Sequence, residues 1–299
     1  MPQFCGDTSN LYLFADDAKM CKHIKNNTDS DVLRDCCQKI YKWSEKWLTR
    51  LNIDKCKVLS IARNKKSINY KYSFITSDNK VLELEHVSSM SDLGIIIDCE
   101  LTFKEHIYHK INKAYQMLGI ISRNCIDLDK ASFIVLYKSL VRSQLEYGNS
   151  VWNPYKCYLI EDIEKVQKRA TKLVKGLRKV PYNERLIRLG LPTLKYRRVR
   201  GDMINVFKIL KGFYDKRVSP LLVMSDFHKT RGNSLKLLTE RSKYDLRKYS
   251  FTSRIVNVWN SLPDTVICAL SLNSFKNRLD KCWKNEEVYF NYKVELTNR

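Results

Sequence analysis

Two kinds of hydrophobic pattern divide the chain, one before about residue 100 and one after it. Leu11 to Phe14 form a continuous apolar run that predicts a buried strand, and Lys19 to Ile24 predict its hairpin partner. Apolar side chains, Trp43 and Trp47 among them, then recur every three or four residues and predict an amphipathic helix to about Arg50. Short apolar stretches predict further strands within 56–62, 68–75, 81–85 and 93–98.

Helical periodicity dominates from Phe103 onward. It predicts helices at about 104–122, 129–146, 159–175, 182–189, 194–211, 251–261 and 272–284. Residues 225–250 are polar and irregular, which predicts an exposed loop. The layout predicts an α+β protein in which residues 1–102 form a small part with strands and residues 103–299 form a mainly helical part.

The charge is unevenly distributed between these two parts. Of 54 Lys and Arg and 32 Asp and Glu, residues 1–100 hold 15 and 14, which leaves 39 and 18 for residues 101–299. An excess of cations confined to one part favours a polyanionic partner, with nucleic acid ahead of a membrane surface. The alternative is that solvated lysines merely keep the protein soluble.

The cellular location is constrained only by what the sequence lacks. No apolar run approaches the roughly 20 residues of a membrane helix, and residues 1–20 do not resemble a secretory signal. We therefore expect an intracellular protein, cytoplasmic or nuclear, that is neither secreted nor inserted in a membrane. The sequence does not indicate an oligomeric state.

The segment 165–200 concentrates the positive charge, with 13 Lys or Arg and one acidic residue, Glu184. In the helix predicted at 159–175 the apolar side chains share one face, and the opposite face carries Lys165, Lys168, Arg169 and Lys172. A second cluster comprises Lys195, Arg197, Arg198 and Arg200, with Tyr196 as a possible stacking group. Both clusters are predicted to contact nucleic-acid phosphates. The alternative for the helix is an ordinary solvated surface, although such surfaces usually mix both signs of charge.

Asp16 and Asp17 place two adjacent carboxylates at the end of the first apolar run. Mg²⁺ takes oxygen ligands, commonly one or two carboxylates together with substrate phosphates. A tight turn could aim both carboxylates into one cleft, whereas on a regular strand they would face opposite ways. The alternative is an acidic hairpin turn without a ligand.

Phe14-Ala15-Asp16-Asp17 resembles the catalytic aspartate box of reverse transcriptases. Later segments resemble, in the same order, the palm, thumb and tail of non-LTR (LINE-type, jockey-like) retrotransposon enzymes: Leu51-Asn52-Ile53-Asp54-Lys55, Leu93-Gly94-Ile95-Ile96-Ile97-Asp98, Glu146-Tyr147-Gly148-Asn149-Ser150-Val151-Trp152-Asn153-Pro154, Val166-Gln167-Lys168-Arg169-Ala170 and Leu191-Pro192-Thr193-Leu194-Lys195-Tyr196-Arg197-Arg198. The resemblance spans roughly residues 10–285. It implies the end of the palm in 1–102 and the thumb and basic tail in 103–299.

The resemblance implies RNA-directed DNA synthesis with Mg²⁺, deoxynucleotides, an RNA template and a DNA primer. Asp16 and Asp17 would be catalytic metal ligands, Lys55 would help pyrophosphate to leave, and Leu93 and Gly94 would belong to the primer grip. A solvated lysine and a plain core strand are the alternatives for Lys55 and for Leu93-Gly94.

This sequence departs from the family pattern before Asp16, which only 15 residues precede. The family's third catalytic carboxylate and its fingers precede the aspartate box, so we expect this chain alone to be inactive as a polymerase. A helical RNA- or DNA-binding protein without catalysis is the main alternative. A decayed open reading frame is another.

Overall fold

A computed structural model describes residues 9–62, 70–225 and 233–296. The chain divides into two compact units, Met1–Thr102 and Phe103–Arg299. About 51% of the described residues are helical and 12% lie in strands, which confirms the predicted α+β class. Part of the strand predicted at 68–75 and part of the loop predicted at 225–250 lie outside the described residues.

The first unit combines one long helix with short strands. Its elements are β1 (Asn10–Phe14), β2 (Asp17–Cys21), α1 (Asn27–Lys46), a 3₁₀ turn (Ile53–Lys55), β3 (Lys57–Leu59), β4 (Ser73–Ile75), β5 (Val81–Glu83), β6 (Glu85–Val87), β7 (Ser89–Asp92) and β8 (Ile95–Asp98). The strands pair two by two, antiparallel in β1–β2, β4–β5 and β7–β8 and parallel in β3–β6. In the part of the unit that the structure describes, every sheet thus has two strands.

The β1–β2 hairpin forms as predicted, but the expectation that its first strand is buried is wrong. Tyr12, Leu13 and Phe14 are 47%, 46% and 65% exposed. Because β1 pairs only with β2 among the described strands, no further strand shields these side chains. Only Leu11 of this apolar run packs against the helix, beside Cys36 and Ile40.

Helix α1 supplies the core of the first unit. It begins where the Asn26 side chain accepts a hydrogen bond from the Asp29 amide, so the cap precedes the predicted candidates at 28–30. It ends at Lys46, four residues before the predicted end, because Leu48 adopts a left-handed conformation (φ 55°). Trp47 therefore lies beyond the helix and is 61% exposed, although its spacing predicts a core position.

The second unit is helical. Its elements are α2 (Lys104–Asn124), α3 (Lys130–Leu136), a π-helical turn (Tyr137–Arg142), α4 (Ser143–Glu146), α5 (Asn149–Trp152), α6 (Cys157–Ala170), a 3₁₀ turn (Thr171–Leu173), α7 (Tyr182–Leu189), α8 (Leu194–Leu210), α9 (Asp245–Lys248), α10 (Phe251–Asn260), α11 (Asp264–Ile267), α12 (Leu272–Cys282) and a 3₁₀ turn (Glu287–Tyr289). Each predicted long helix is present to within a few residues, and the short helices α5, α9 and α11 were not predicted.

Helix α6 occupies the position that matters for the candidate site. Its apolar face packs against α2 on one side and α8 on the other. Tyr108 of α2 contacts Asp162 of α6, and seven residues later in both helices Tyr115 contacts Arg169. Helices α2 and α6 therefore run in the same direction.

A separate apolar cluster joins α8 to α10 and α12. Its centre holds Phe207 and Phe275, whose rings stack at 4.3 Å between centroids, and fully buried Trp259. No helix in the described parts of the chain is both long enough and apolar enough to cross a membrane.

Candidate nucleic-acid interface

Asp16 and Asp17 lie at the tip of the β1–β2 hairpin. Phe14 pairs with Asp17, so Ala15 and Asp16 form a two-residue turn in which Ala15 is left-handed (φ 51°). Both carboxylates are exposed. Across residues 9–62, 70–225 and 233–296, no three His, Cys, Asp or Glu side chains come together as a metal site. Two exposed carboxylates alone do not make the closed two-metal centre that phosphoryl transfer uses, so the donor set does not fit Mg²⁺ catalysis by itself.

The other residues implied by the resemblance occupy turns of the first unit. Lys55 ends the 3₁₀ turn with its side chain exposed, and no hydrogen bond or ion pair described for this unit links it to Asp16 or Asp17. Leu93 and Gly94 form the two-residue turn between β7 and β8, both with positive φ (47° and 77°). The strand predicted from Leu93 begins instead at Ile95. The structure does not test the catalytic and primer-grip roles of these residues.

Helix α6 carries the predicted basic face. Leu159, Ile163, Val166 and Ala170 are each at most 2% exposed, so the apolar side is fully used in packing. Lys165, Arg169 and Lys172 point to solvent from the opposite side. The helical repeat of the sequence thus places three of the four predicted cations on the exposed face, as expected.

Lys168 differs from its three neighbours. It is half-buried, and its Nζ donates a 2.8 Å hydrogen bond to the Tyr292 hydroxyl. The ammonium group also lies 4.6 Å from the centre of the Tyr292 ring and 5.6 Å from that of Tyr182. Lys168 therefore ties α6 to the end of the chain, and we remove it from the predicted phosphate-binding set.

The three exposed cations have different local environments. Lys165 forms a 2.9 Å ion pair with Asp162, and this hydrogen bond lowers the pKa of the Asp162 carboxyl. The Arg169 guanidinium lies over the half-exposed Tyr115 ring at 5.6 Å. We name Lys165 and Arg169, together with Lys172 of the 3₁₀ turn that continues α6, the α6 basic face. Because Lys165 already has a carboxylate partner, Arg169 and Lys172 are the stronger sites for an incoming anion.

The exposed cations continue beyond the helix. Lys175, Arg178 and Lys179 follow in the loop that leads to α7, and all three are exposed. Lys175 pairs with Asp127 at 3.0 Å, although both side chains are about 70% exposed, so the pair is weak. These three residues were not among the predicted contacts. The absence of acidic residues between 165 and 183 is the sequence signal that identifies them.

The cations of the second predicted cluster, on α8, form hydrogen bonds and ion pairs with other parts of the protein. Lys195 binds the Val294 carbonyl and Glu295, Arg197 forms a two-pronged ion pair with Glu146, and Arg200 does the same with Asp280. The side chains of these three cations are only 11%, 25% and 18% exposed. Neutralised by internal partners, they are poor phosphate ligands. The expectation of a second basic surface is therefore corrected.

Arg198 and Tyr196 are corrected more strongly, because each is 2% exposed. The Arg198 Nε donates to the Asn153 side chain at 3.0 Å, and its Nη1 has no hydrogen-bond partner among the residues that the structure describes. Burial lowers the pKa of Arg198 to about 10. The Tyr196 ring packs in the apolar cluster against Trp283 and Tyr289 and is unavailable to a base.

A buried ion pair lies beside Arg198. Arg254 of α10 binds Asp202 of α8 through Nε at 2.9 Å and Nη2 at 3.1 Å. The same guanidinium donates to the Ser150 carbonyl at 2.8 Å and the Tyr249 carbonyl at 3.2 Å. Burial raises the pKa of Asp202, which Arg254 opposes. This single side chain therefore connects α8, α10, α5 and the end of α9.

A second buried hydrogen-bond network lies on the inner side of α6. Glu164, which is fully buried, accepts hydrogen bonds from the Tyr182 hydroxyl at 2.5 Å and the Leu194 amide at 3.1 Å. Gln167 accepts from the Tyr137 hydroxyl and donates to the Pro192 carbonyl at 3.0 Å. Polar groups on the inner side of α6 thus hold the first turn of α8. The outer face of α6 is left to the basic residues.

Comparison with known proteins yields distant relatives. Over 131 residues the chain is 28% identical to an uncharacterized protein of Caenorhabditis elegans, an alignment covering 42% of the chain and 66% of that protein. Over 176 residues it is 21% identical to a protein of Drosophila melanogaster named "Probable RNA-directed DNA polymerase from transposon X-element". That alignment covers 56% of the chain but 18% of the polymerase.

No family model matches the chain. No solved structure matches it. The chain spans less than two thirds of the length of either relative. The match to the Drosophila protein agrees with the motifs read from the sequence at a coarse level: the chain is distantly related to a retrotransposon RNA-directed DNA polymerase.

Proposed function

We propose that this chain is a fragment of a non-LTR retrotransposon reverse transcriptase whose helical unit binds the phosphate backbone of the RNA template or DNA primer. One observation carries the proposal: Lys165 and Arg169 of α6 and Lys172 of the following 3₁₀ turn are exposed, and cations continue to Lys179 without an acidic residue in the intervening sequence. A continuous run of exposed cations suits the repeating negative charge of a nucleic acid. Contacts of this kind position the polymer without reading its bases.

The distant match to the transposon polymerase supports the retrotransposon origin that the proposal assigns to the chain. A helical RNA- or DNA-binding protein without catalysis shares the same basic face and is the second candidate. The exposed carboxylates of Asp16 and Asp17, which have no third metal-binding side chain beside them in the described residues, favour this candidate for the chain on its own. Neither candidate expects the chain on its own to extend a primer.

Primer extension tests whether the chain is inactive by itself. On a primed RNA template with Mg²⁺ and deoxynucleotides, we expect no incorporation above background by the purified chain. The reason is that positioning and charge stabilisation by bound metals drive phosphoryl transfer, and Asp16 and Asp17 alone cannot hold a two-metal centre. Incorporation that disappears in both Asp16→Ala and Asp17→Ala would contradict this expectation. It would show that the metal site is completed by residues outside those described.

Removal of the α6 basic face tests nucleic-acid binding. We expect Lys165→Gln, Arg169→Gln and Lys172→Gln together to weaken binding of a labelled oligonucleotide and to reduce the log–log salt slope. Each lost phosphate contact removes about 0.7 from that slope for a single strand and about 0.9 for a duplex. The expected reduction is therefore about 2 to 3. Unrelated sequences should weaken equally, because phosphate contacts do not read bases. Fluorescence anisotropy across a range of salt concentrations measures both quantities.

A matched control removes the same charge elsewhere in the unit. Lys211, Lys216 and Arg217 are exposed in the loop after α8, and their replacement by Gln changes the net charge equally. This control should shift the slope far less than the α6 variant. Equal effects of the two triple variants, with circular dichroism unchanged, would mean that overall charge and not the α6 basic face governs binding.

A further inference from the structure

Two tyrosines form an exposed stack near the start of α6. The rings of Tyr155 and Tyr249 lie 4.3 Å apart between centroids and within 5° of parallel. Tyr155 is 37% exposed and Tyr249 is partly exposed. Aromatic pairs in protein interiors usually gain their stability from burial of both rings. Here both rings are only partly buried, so part of the aromatic surface of the pair remains in contact with solvent.

Two buried arginines donate hydrogen bonds to the segments that carry the two rings. The Arg254 guanidinium binds the carbonyls of Ser150 and Tyr249. Arg198 donates to the side chain of Asn153, two residues before Tyr155. Because both arginines are anchored in the interior, they restrain the backbone that carries Tyr249 and the segment just before Tyr155. A rigid surface loses little conformational entropy when it binds.

Two lysines lie beside the tyrosine pair. Lys156 follows Tyr155 directly and is exposed, and the Lys248 ammonium lies 5.2 Å from the centre of the Tyr249 ring. Tyr158 is 45% exposed and lies two helical turns before Lys165 on α6. The exposed side of α6 therefore extends from near Tyr155 to the α6 basic face. Aromatic rings beside a track of cations are the combination by which proteins bind unpaired nucleotides.

We propose that the Tyr155–Tyr249 pair is a stacking platform for an unpaired base of a single-stranded nucleic acid. The inference rests on the proposed function, since the α6 basic face would hold the backbone of the same strand. A base in a duplex is already stacked on its neighbours and cannot lie on the pair. The platform therefore gives the protein a preference for single strands, which phosphate contacts alone do not supply.

The experiment compares Tyr155→Ala with Tyr214→Ala, a control in which the replaced ring is 41% exposed but lies in the loop after α8. We expect Tyr155→Ala to weaken binding of a single-stranded oligonucleotide by about 5- to 150-fold, the range typical for loss of one stacked base. Duplex binding and the salt slope should not change, because no cation is removed. Tyr155→Trp should retain single-strand binding, and Tyr155→Leu should not, because leucine has no flat face. Tyr214→Ala should resemble the wild type.

A fluorescent base reports stacking directly. 2-Aminopurine within the single strand should be quenched by the wild-type protein and much less by Tyr155→Ala. If Tyr155→Ala and Tyr155→Leu bind and quench like Tyr214→Ala while the wild type retains its salt-dependent binding, the platform is refuted and the proposed function stands. If the wild type binds neither single strand nor duplex, the proposed function fails, and the platform with it.

Discussion

Arg254→Leu should lower the free energy of unfolding by about 3–5 kcal/mol, because it leaves the Asp202 carboxylate uncompensated in the interior. Asp202 and Arg254 side chains are 4% and 11% exposed, so water cannot replace the lost partner. The carbonyls of Ser150 and Tyr249 also lose their donor. Urea denaturation followed by circular dichroism measures the change.

Two further variants show that the cause is the buried charge. Asp202→Asn in the Arg254→Leu background should be more stable than Arg254→Leu alone, because no unpaired carboxylate remains. Arg217→Leu breaks the exposed pair of Arg217 with Asp215 and should change stability little. If the double variant is no more stable than Arg254→Leu, the loss comes from packing or from the two carbonyls and not from Asp202.

The importance of Arg254 could not be read from the sequence. Asp202 precedes Arg254 by 52 residues, and the two meet only because α8 and α10 pack together. Large sequence separations also explain why the cations of α8 were wrongly predicted to be free for nucleic acid. Arg197 finds Glu146 and Arg200 finds Asp280 across 51 and 80 residues. A run of positive charge predicts a surface only when no distant acid is brought to it by the fold.

Local periodicity, by contrast, predicted the helices of the second unit well. The α6 apolar side chains recur every three or four residues, and this repeat alone places Lys165, Arg169 and Lys172 on the opposite, exposed face. Lys168 shares their side of the helix in the sequence pattern. Its burial depends on Tyr292, which lies 124 residues later in the chain.

The first unit followed its sequence pattern less closely. The strand beginning at Leu11 was predicted in the right place, but its burial was not, because a run of apolar residues cannot show whether another strand will cover it. The early end of α1 depends on the left-handed backbone at Leu48, a conformation that leucine adopts rarely and that the sequence does not signal. Trp47 lies just beyond the last helical residue and is exposed.

Buried Glu164 should make the stability of the protein depend on pH. Burial raises the pKa of the Glu164 carboxyl above its ordinary value of 4.5, although its hydrogen bond from Tyr182 opposes the shift. The folded protein therefore binds this proton more tightly than the unfolded chain does. The stability that results is present below pH 4.5 and is lost as the pH rises through the raised pKa of the folded state.

Glu164→Gln should remove this pH dependence. Relative to the variant, the wild type should lose stability as the pH rises from about 4.5, by at most about 1.4 kcal/mol per pH unit for a single proton. The variant should also be less stable by a constant amount of about 1–3 kcal/mol, because one of the two acceptor oxygens becomes an NH2 group, which is itself a donor, beside the buried Tyr182 hydroxyl and Leu194 amide. Urea denaturation of both proteins between pH 4.5 and 7.5 separates the two contributions.

Glu184→Gln is the matched control, since Glu184 is an exposed carboxylate of α7 in an ion pair with Arg188. Its stability difference from the wild type shows what the loss of one exposed carboxylate does over the same pH range. A difference between wild type and Glu164→Gln that follows the same course would mean that burial of Glu164 has no effect of its own. Glu164 joins α6 to the first turn of α8. If the stability difference between wild type and Glu164→Gln does change with pH, the helix that carries the α6 basic face is more stable at low pH. Nucleic-acid binding should then survive higher urea concentrations at pH 5 than at pH 7.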